Sequence, residues 1–365
     1  MVKITIDPWG EFLIKDYEKL IGQYGLEPFT DSLLKKLPNP NKLMRRKIIF
    51  AHTDLGKVID AIQNKKDFYV LTGIMPSLEQ IHLGTKMVIE NVKYFQDQGA
   101  KTFVLVADLE AAATRGVSLE EGRKRALNFH IPAYIALGLN PEKTVFYFQS
   151  ENEKVKNLAF IFSRKITLNE FRAIYGSTEP GRMMSSVLQV GDILFPQLEK
   201  RMPGVIPVGP DQSPHILLSR DIVDRTQTTF NFVPPSGLYN KYTPSLDGGL
   251  KMSKSKPEYC ITIPEDVNEA CKKIRRAFSG GRDTLEKHRK LGGVPEKDMA
   301  FELLKQHFIE DDNELKRIYD DYKSGKMMSG EIKDIACKKL TEFMKDFEKK
   351  LEKARNIVPS LKFIK

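Results

Sequence analysis

Two stretches of this 365-residue chain carry side chains suited to phosphate chemistry. The first runs Gly73…Pro76-Ser77…His82-Leu83-Gly84-Thr85, a polar loop that gives way to a helix. At such a helix mouth an imidazole and unpaired backbone N–H groups can meet an anion. The second is Lys251-Met252-Ser253-Lys254-Ser255, just after the turn-forming Asp247-Gly248-Gly249. Two ammonium groups around a small hydroxyl residue, on a mobile loop, can follow negative charge as it develops on a triphosphate. Each such charge-assisted bond contributes about 1.5 to 3 kcal/mol. A lone histidine is more often structural and an exposed lysine merely solvated; the pairing of the two stretches is what points to ATP.

Two further groups have matching placement. Gly209-Pro210-Asp211-Gln212 follows the apolar Val205-Ile206-Pro207-Val208, so a strand ends in a polar loop before a helix. Asp211 there reads either as a helix cap or as a carboxylate facing a ligand. In Leu188-Gln189-Val190-Gly191-Asp192, Gln189 and Asp192 lie three apart and share one helix face, so they can meet a substrate together. A buried Asp192 needs a donor, and an indole N–H or a phenol hydroxyl would each serve.

The positioning elements follow an alternating pattern. Apolar runs at Phe68–Leu71, Thr102–Val106, Thr144–Phe148 and Val205–Val208 predict strands. Between them, a helix is predicted from about Leu83 to Gln98, with Met87, Ile89, Val92 and Phe95 inward and Gly99 at its stop. Ser118-x-x-Glu121 and Thr167-x-x-Glu170 are capping-box signatures, the first opening a helix toward Leu139 that is interrupted near Pro132. Strand and helix in alternation predict an α/β fold with a Rossmann-type parallel sheet, in which ligands sit beyond the carboxyl ends of the strands. The expected organisation is an N-terminal extension at 1–66, a catalytic domain at 67–263, and an all-helical domain at 264–365. The last ends in a helix with Ile332, Ile335, Ala336, Leu340, Phe343, Phe347 and Leu351 as core.

Composition narrows the class. Hydrophobic residues are 41% and charged residues 29%, ordinary globular values that argue against extensive disorder. A formal charge of +10 favours acidic partners such as ATP or RNA, or else reflects a solvated Lys/Glu surface. Three cysteines (Cys260, Cys271, Cys337) without C-x-x-C spacing support neither a disulfide framework nor a zinc module. No apolar signal core and no uncharged run of about 18 residues occurs, so a cytoplasmic protein without membrane contact is expected.

The motifs resemble those of class I aminoacyl-tRNA synthetases. His82-Leu83-Gly84-Thr85 is similar to the HIGH signature, Lys251 to Ser255 spells KMSKS, and Val208 to Gln212 resembles the adenosine-side loop, all in the family's order. More narrowly, the chain resembles the tryptophanyl-tRNA synthetases of archaeal and eukaryotic type. That likeness rests on Ile6-Asp7-Pro8-Trp9, Arg46 to Asp54, Ala277-Phe278-Ser279-Gly280-Gly281-Arg282-Asp283-Thr284, Leu291-Gly292-Gly293 and Tyr322 to Gly325. Departures are Thr85 at the fourth HIGH position and a mixed amino-acid pocket. There Leu71 and Leu105 replace polar residues, while Asp192 sits where bacterial relatives keep an aspartate.

The resemblance implies two steps. Tryptophan's carboxylate attacks the α-phosphate of ATP, expelling pyrophosphate, and the adenylate is then transferred to the terminal ribose of tRNA(Trp). It also implies residue roles: His82, Lys251 and Lys254 are catalytic. ATP is held by Gly73, His82, Gly84, Thr85, Gly209, Asp211, Lys251, Met252, Ser253 and Lys254. The amino-acid side falls to Glu110, Gln189, Asp192 and Gln212. Mg²⁺ is expected with the phosphates, held by their oxygens and water rather than by a protein metal site. A homodimer is implied, its surface in an insertion at 150–205, as is anticodon reading by 264–365. The tyrosine enzyme is the nearest rival, followed by a synthetase-like ATP- or RNA-binding protein without aminoacylation. A small nucleotidyltransferase would not need the helical C-terminus.

Overall fold

The β-branched and aromatic segments KTFVLV and TVFYF have the composition of strands covered on both faces, and both become central strands. The computed structural model describes residues 17–364, so the Ile6–Trp9 stretch lies outside the described residues. In chain order the strands are β1 (Glu27–Pro28), β2 (Ile49–Thr53), β3 (Tyr69–Ile74), β4 (Ile81–His82), β5 (Lys101–Val106), β6 (Thr144–Phe148), β7 (Gly204–Val208), β8 (Ser236–Asn240), β9 (Thr262–Ile263) and β10 (Phe363–Ile364). Eight of them form one sheet in the order β1-β2-β8-β7-β3-β5-β6-β10. From β8 to β10 every pairing is parallel; β2 joins β8, and β1 joins β2, antiparallel.

Strands β3, β5 and β6 step outward in sequence, and the chain then returns to place β7 on the other side of β3. The order therefore reverses between β3 and β7, whose carboxyl ends open a crevice. The Gly73 loop leaves one of these strands and the Gly209 loop leaves the other. One sheet face packs Val70, Val104, Phe146 and Phe148 against Met87 and Phe95 of the helix Leu83–Asp97. The opposite face packs Leu71, Leu105, Tyr147 and Ile206 against Val155, Ile193 and Ile222.

The elements follow the sequence signals closely where those signals are local. Thr167 and Glu170 form a reciprocal capping box at the head of Leu168–Tyr175. Ser118 accepts from the Glu121 N–H at 3.2 Å and opens Leu119–Arg125. The interruption near Pro132 is a π-helical turn, Ala126–His130, before the helix Ile131–Ala136. Proline's missing N–H and ring displace the regular ladder, and the Asn128 carbonyl, four residues earlier, accepts instead from Arg355 Nε at 3.2 Å.

Both flanking segments contribute to the central sheet. Residues of the first 66 supply β1 and β2, and after the long helix Ser329–Ile357 the chain returns as β10 beside β6. Two-residue strands carry no readable periodicity, which is why β1 and β10 are silent in the sequence. The helices beyond Pro264 bury Ile274, Leu304, Ile332, Leu340 and Phe347 in a cluster that also takes in Leu83 and Met252. The C-terminal helices thus pack directly on both signature stretches.

Candidate active site

Two of the predicted phosphate ligands are brought together by short backbone pairings. Strand β4 ends at His82 and pairs antiparallel with β9, with His82 opposite Thr262. This pairing ties the entrance of the HIGH helix to the chain just beyond the KMSKS loop. His82 is also the N-cap of the helix Leu83–Asp97, its Nδ1 accepting from the Thr85 N–H at 3.3 Å. That bond fixes the tautomer: Nδ1 is the acceptor, so in the neutral ring Nε2 carries the proton and is the donor. Burial, then the Lys254 and Lys251 charges, push the His82 pKa down to about 4, so the ring is neutral near pH 7. The structural and catalytic readings of His82 therefore describe one residue with two nitrogens.

Gly84 is required by this cap, because a Cβ there would stand 2.8 Å from both Cε1 and Nδ1 of His82. The same absence of a side chain leaves the helix mouth open to a ligand. Gly73 is exposed near the end of β3, with its carbonyl accepting from Tyr134 OH at 3.0 Å.

In the KMSKS loop the two lysines have different partners. Lys254 Nζ donates to the Gln80 carbonyl at 2.8 Å, two residues before His82, and burial lowers its pKa. Lys251 Nζ lies 3.3 Å from Asp211 Oδ2 and 4.6 Å from the centre of the Tyr242 ring. Met252 is buried and anchors the loop: its N–H donates to the Thr243 carbonyl at 2.7 Å, and its Sδ accepts from Ile261 N–H at 3.3 Å. Ser253 Oγ lies 2.9 Å from Ser255 Oγ. Gly209 begins the 3-10 turn Pro210–Gln212 at the end of β7, and this turn carries Asp211 toward Lys251. Neither the Lys251–Asp211 pair nor the Tyr242 ring beneath it was legible from spacing, since these residues come together only through the strand order.

On the amino-acid side, Gln189 Nε2 donates to Gln212 Oε1 at 3.4 Å, so the helix Pro180–Leu194 reaches the Gly209 loop. Asp192, one turn on, is fully buried and already holds two protein donors: Tyr147 OH at 3.0 Å on Oδ1 and Gln149 Nε2 at 2.6 Å on Oδ2. Burial raises its pKa to about 8 despite those two bonds, with the Glu110 charge adding to the rise. Glu110 sits in the first turn of the helix Asp108–Arg115, beyond the end of β5, and its N–H donates to Gln149 Oε1 at 3.4 Å. The sequence gives no hint of Tyr147, Gln149 or the buried Tyr175–His215 pair at 3.0 Å, because aromatic residues in a strand and a helix read as core.

The structure thus brings together a polar edge (His82, Lys254, Lys251, Asp211) and, separately, an apolar region with the buried Asp192 carboxyl among Leu71, Leu105 and Tyr147. Both lie at the reversal point of a parallel sheet. A HIGH-type helix mouth facing a KMSKS-type loop across such a crevice defines a class I aminoacyl-tRNA synthetase. The family model described as tRNA synthetases class I (W and Y) matches residues 63–345. The tryptophan–tRNA ligase of Methanocaldococcus jannaschii is 42% identical over 365 residues, covering 98% of each chain. The crystal structure of the tryptophanyl-tRNA synthetase from Aeropyrum pernix superposes with a TM-score of 0.89 at 41% identity, covering 97% of this chain and 98% of that one. The tryptophan-bound enzyme of Encephalitozoon cuniculi gives 0.86 at 26% identity, covering 96% and 98%. The chain belongs to the tryptophanyl-tRNA synthetases of this class I family.

Proposed function

We infer that this chain activates L-tryptophan with ATP and transfers the tryptophanyl group from the adenylate to the 3′ end of tRNA(Trp), releasing AMP and pyrophosphate. The observation that carries the site reading is the convergence of the two signature stretches: Lys254 reaches the Gln80 carbonyl beside His82, and Lys251 reaches Asp211. The reaction is an in-line displacement at phosphorus, in which positioning and charge neutralisation outweigh acid–base chemistry. MgATP is the substrate form, its ion held by phosphate oxygens and water. His82 donates from Nε2 to the phosphates. Lys254 leaves the Gln80 carbonyl and Lys251 leaves Asp211 for the β and γ phosphates, tightening as charge moves onto pyrophosphate. Asp211, released, accepts from the ribose hydroxyls, the Thr85 hydroxyl donates to phosphate, and Gly73, Gly84 and Gly209 let the nucleotide approach the backbone. Glu110, Gln189 and Gln212 surround the amino acid, and Asp192 acts with Tyr147 and Gln149 beneath it.

Two surfaces support the proposed partners. In the 150–205 segment Phe160 is 79% exposed and Met184 56%, with Leu168 and Ile161 also outward, a patch suited to a homodimer contact. In the 264–365 segment Leu285 and Leu291 are exposed among Lys287, Arg289 and Lys290, a basic surface suited to RNA. Among the described residues no helix is long and apolar enough to cross a membrane. The proposed setting is the cytoplasm, where ATP and tRNA meet.

The test is amino-acid-dependent exchange of labelled pyrophosphate into ATP, with tryptophan, tyrosine and phenylalanine in parallel. A tryptophan-only signal is expected. A tyrosine signal overturns the substrate while keeping the phosphate site, and no signal with any of the three overturns the activation reading.

A further inference from the structure

His307 lies outside every signature stretch, yet it is bonded to the supports of both. It sits in a π-helical turn, Leu304–Phe308, of the C-terminal helices, and it is 2% exposed. π-Turns are rare and occur frequently at functional positions. The His307 carbonyl accepts from Lys86 Nζ at 3.1 Å, and Lys86 follows Thr85 on the HIGH helix. The same carbonyl accepts from Lys42 Nζ at 3.3 Å; Glu90 pairs with both lysines, at 3.0 and 2.8 Å, and Glu310 with Lys42.

The ring of His307 points the other way. Its Nε2 lies 3.0 Å from Thr243 Oγ1, also buried, and the Thr243 carbonyl receives the Met252 N–H at 2.7 Å. Met252 is the fixed point of the KMSKS loop, so one residue spans from the HIGH helix to the base of Lys251 and Lys254. Nδ1 of His307 is buried and makes no hydrogen bond. An orphaned N–H would add a desolvation cost, and two ammonium groups stand nearby, so the proton belongs on Nε2, where it is donated to Thr243. Burial, with Lys86 and Lys42 next, holds the ring neutral.

We propose that His307 is a positioning residue for adenylate formation: through Thr243 and Met252 it sets the KMSKS loop at the distance from the HIGH helix at which Lys254 meets the triphosphate. This rests on the reading of Lys254 as a phosphate ligand. Such a strut also gives the C-terminal helices a physical hold on the ATP site, because any shift of the 304–308 turn moves Thr243 and Lys86 together.

The experiment is a double-mutant cycle on the full-length enzyme, measuring single-turnover adenylate formation, KM for ATP and tryptophan affinity. His307→Phe keeps an aromatic ring, somewhat larger than imidazole, and loses the donor; Thr243→Val is a near-isosteric cut of the same bond from the other side and guards against misfolding of the first. Each is expected to slow adenylate formation by about three- to tenfold, the usual worth of a buried hydrogen bond, with tryptophan affinity unchanged. His307→Gln, which returns an N–H at similar reach, is expected to recover most of the rate. In a Lys254→Ala background the His307→Phe effect is expected to shrink, because only Lys251 is left for the loop to place. Full activity of both single variants overturns the proposal, as does an effect that multiplies undiminished onto Lys254→Ala or one shared by tryptophan affinity. If Lys254→Ala alone is silent, the phosphate reading fails first, and the inference with it.

Discussion

His82 caps a helix with one nitrogen, and the proposed mechanism uses the other. Its Nδ1 caps the HIGH helix, which commits the other nitrogen to donation. Gly84→Ala places a methyl group against the ring and is expected to cost about 1 kcal/mol of cap stability and a larger part of the activation rate. Thermal melting beside pyrophosphate exchange separates the two, and an unchanged exchange rate removes the cap from the mechanism. Lys254→Ala is expected to slow adenylate formation far more than it weakens tryptophan binding, read from single-turnover rates and amino-acid titration. Asp192→Ala should act on the other side. It strips Tyr147 and Gln149 of their shared acceptor, so tryptophan affinity is expected to fall at least about tenfold while KM for ATP stays near wild type. Unaltered affinity would mean that the indole is held elsewhere.

Elements with local signals were readable, and those made by pairing were not. The Thr167–Glu170 box, the helix from Leu83 and the strand Thr144–Phe148 fall where capping residues and apolar periodicity put them. By contrast β4, β9 and β10 are two residues each and exist only because a distant partner supplies their hydrogen bonds. The β4–β9 pairing matters most, because it holds His82 against the chain after Lys254. The Ala277–Thr284 signature turns out to be largely architectural: a Cβ on Gly280 would lie 2.0 Å from the Val294 carbonyl oxygen. Gly280→Ala is therefore expected to destabilise by several kcal/mol through backbone displacement, seen as a lowered melting temperature, whereas Lys290→Ala, exposed on the same basic surface, should leave stability unchanged and weaken tRNA binding. A Gly280→Ala protein as stable as wild type would show that the two segments can separate.

At the scale of the whole molecule, pH acts through its buried imidazoles. His82 and His130 are pushed down to about 4 and His215 to about 3 by burial, and His307 is also held well below the ordinary value. The unfolded chain takes up these protons near pH 6.5 while the folded one refuses them. Their stability contribution is thus fully present above pH 6.5 and is lost as pH falls toward 4 and below. Asp192 works with the opposite sign: raised from 3.8 to about 8, it favours the fold at low pH and loses that contribution as pH rises through 8. Burial also lowers the His52 pKa and raises that of Asp221, so five imidazoles against two carboxyls predict a melting temperature that falls from pH 6.5 to 4, and a melting temperature flat across that range contradicts it. Association is predicted from the exposed Phe160 face: Phe160→Glu should shift sedimentation from dimer toward monomer, and an unmoved profile places the contact elsewhere.

By itself the sequence determined the α/β class, the two signature stretches, and the likeness to the tryptophanyl-tRNA synthetases. Those follow from signals written within a dozen neighbouring residues: caps, periodicity and motif order. Only the tertiary structure decided that Lys251 pairs with Asp211, that Asp192 already has its donors, and that His307 of the C-terminal helices bonds both Lys86 and Thr243. Each of these is a meeting of side chains from segments far apart in the chain. Their distance is set by strand order and core packing, which no local pattern encodes.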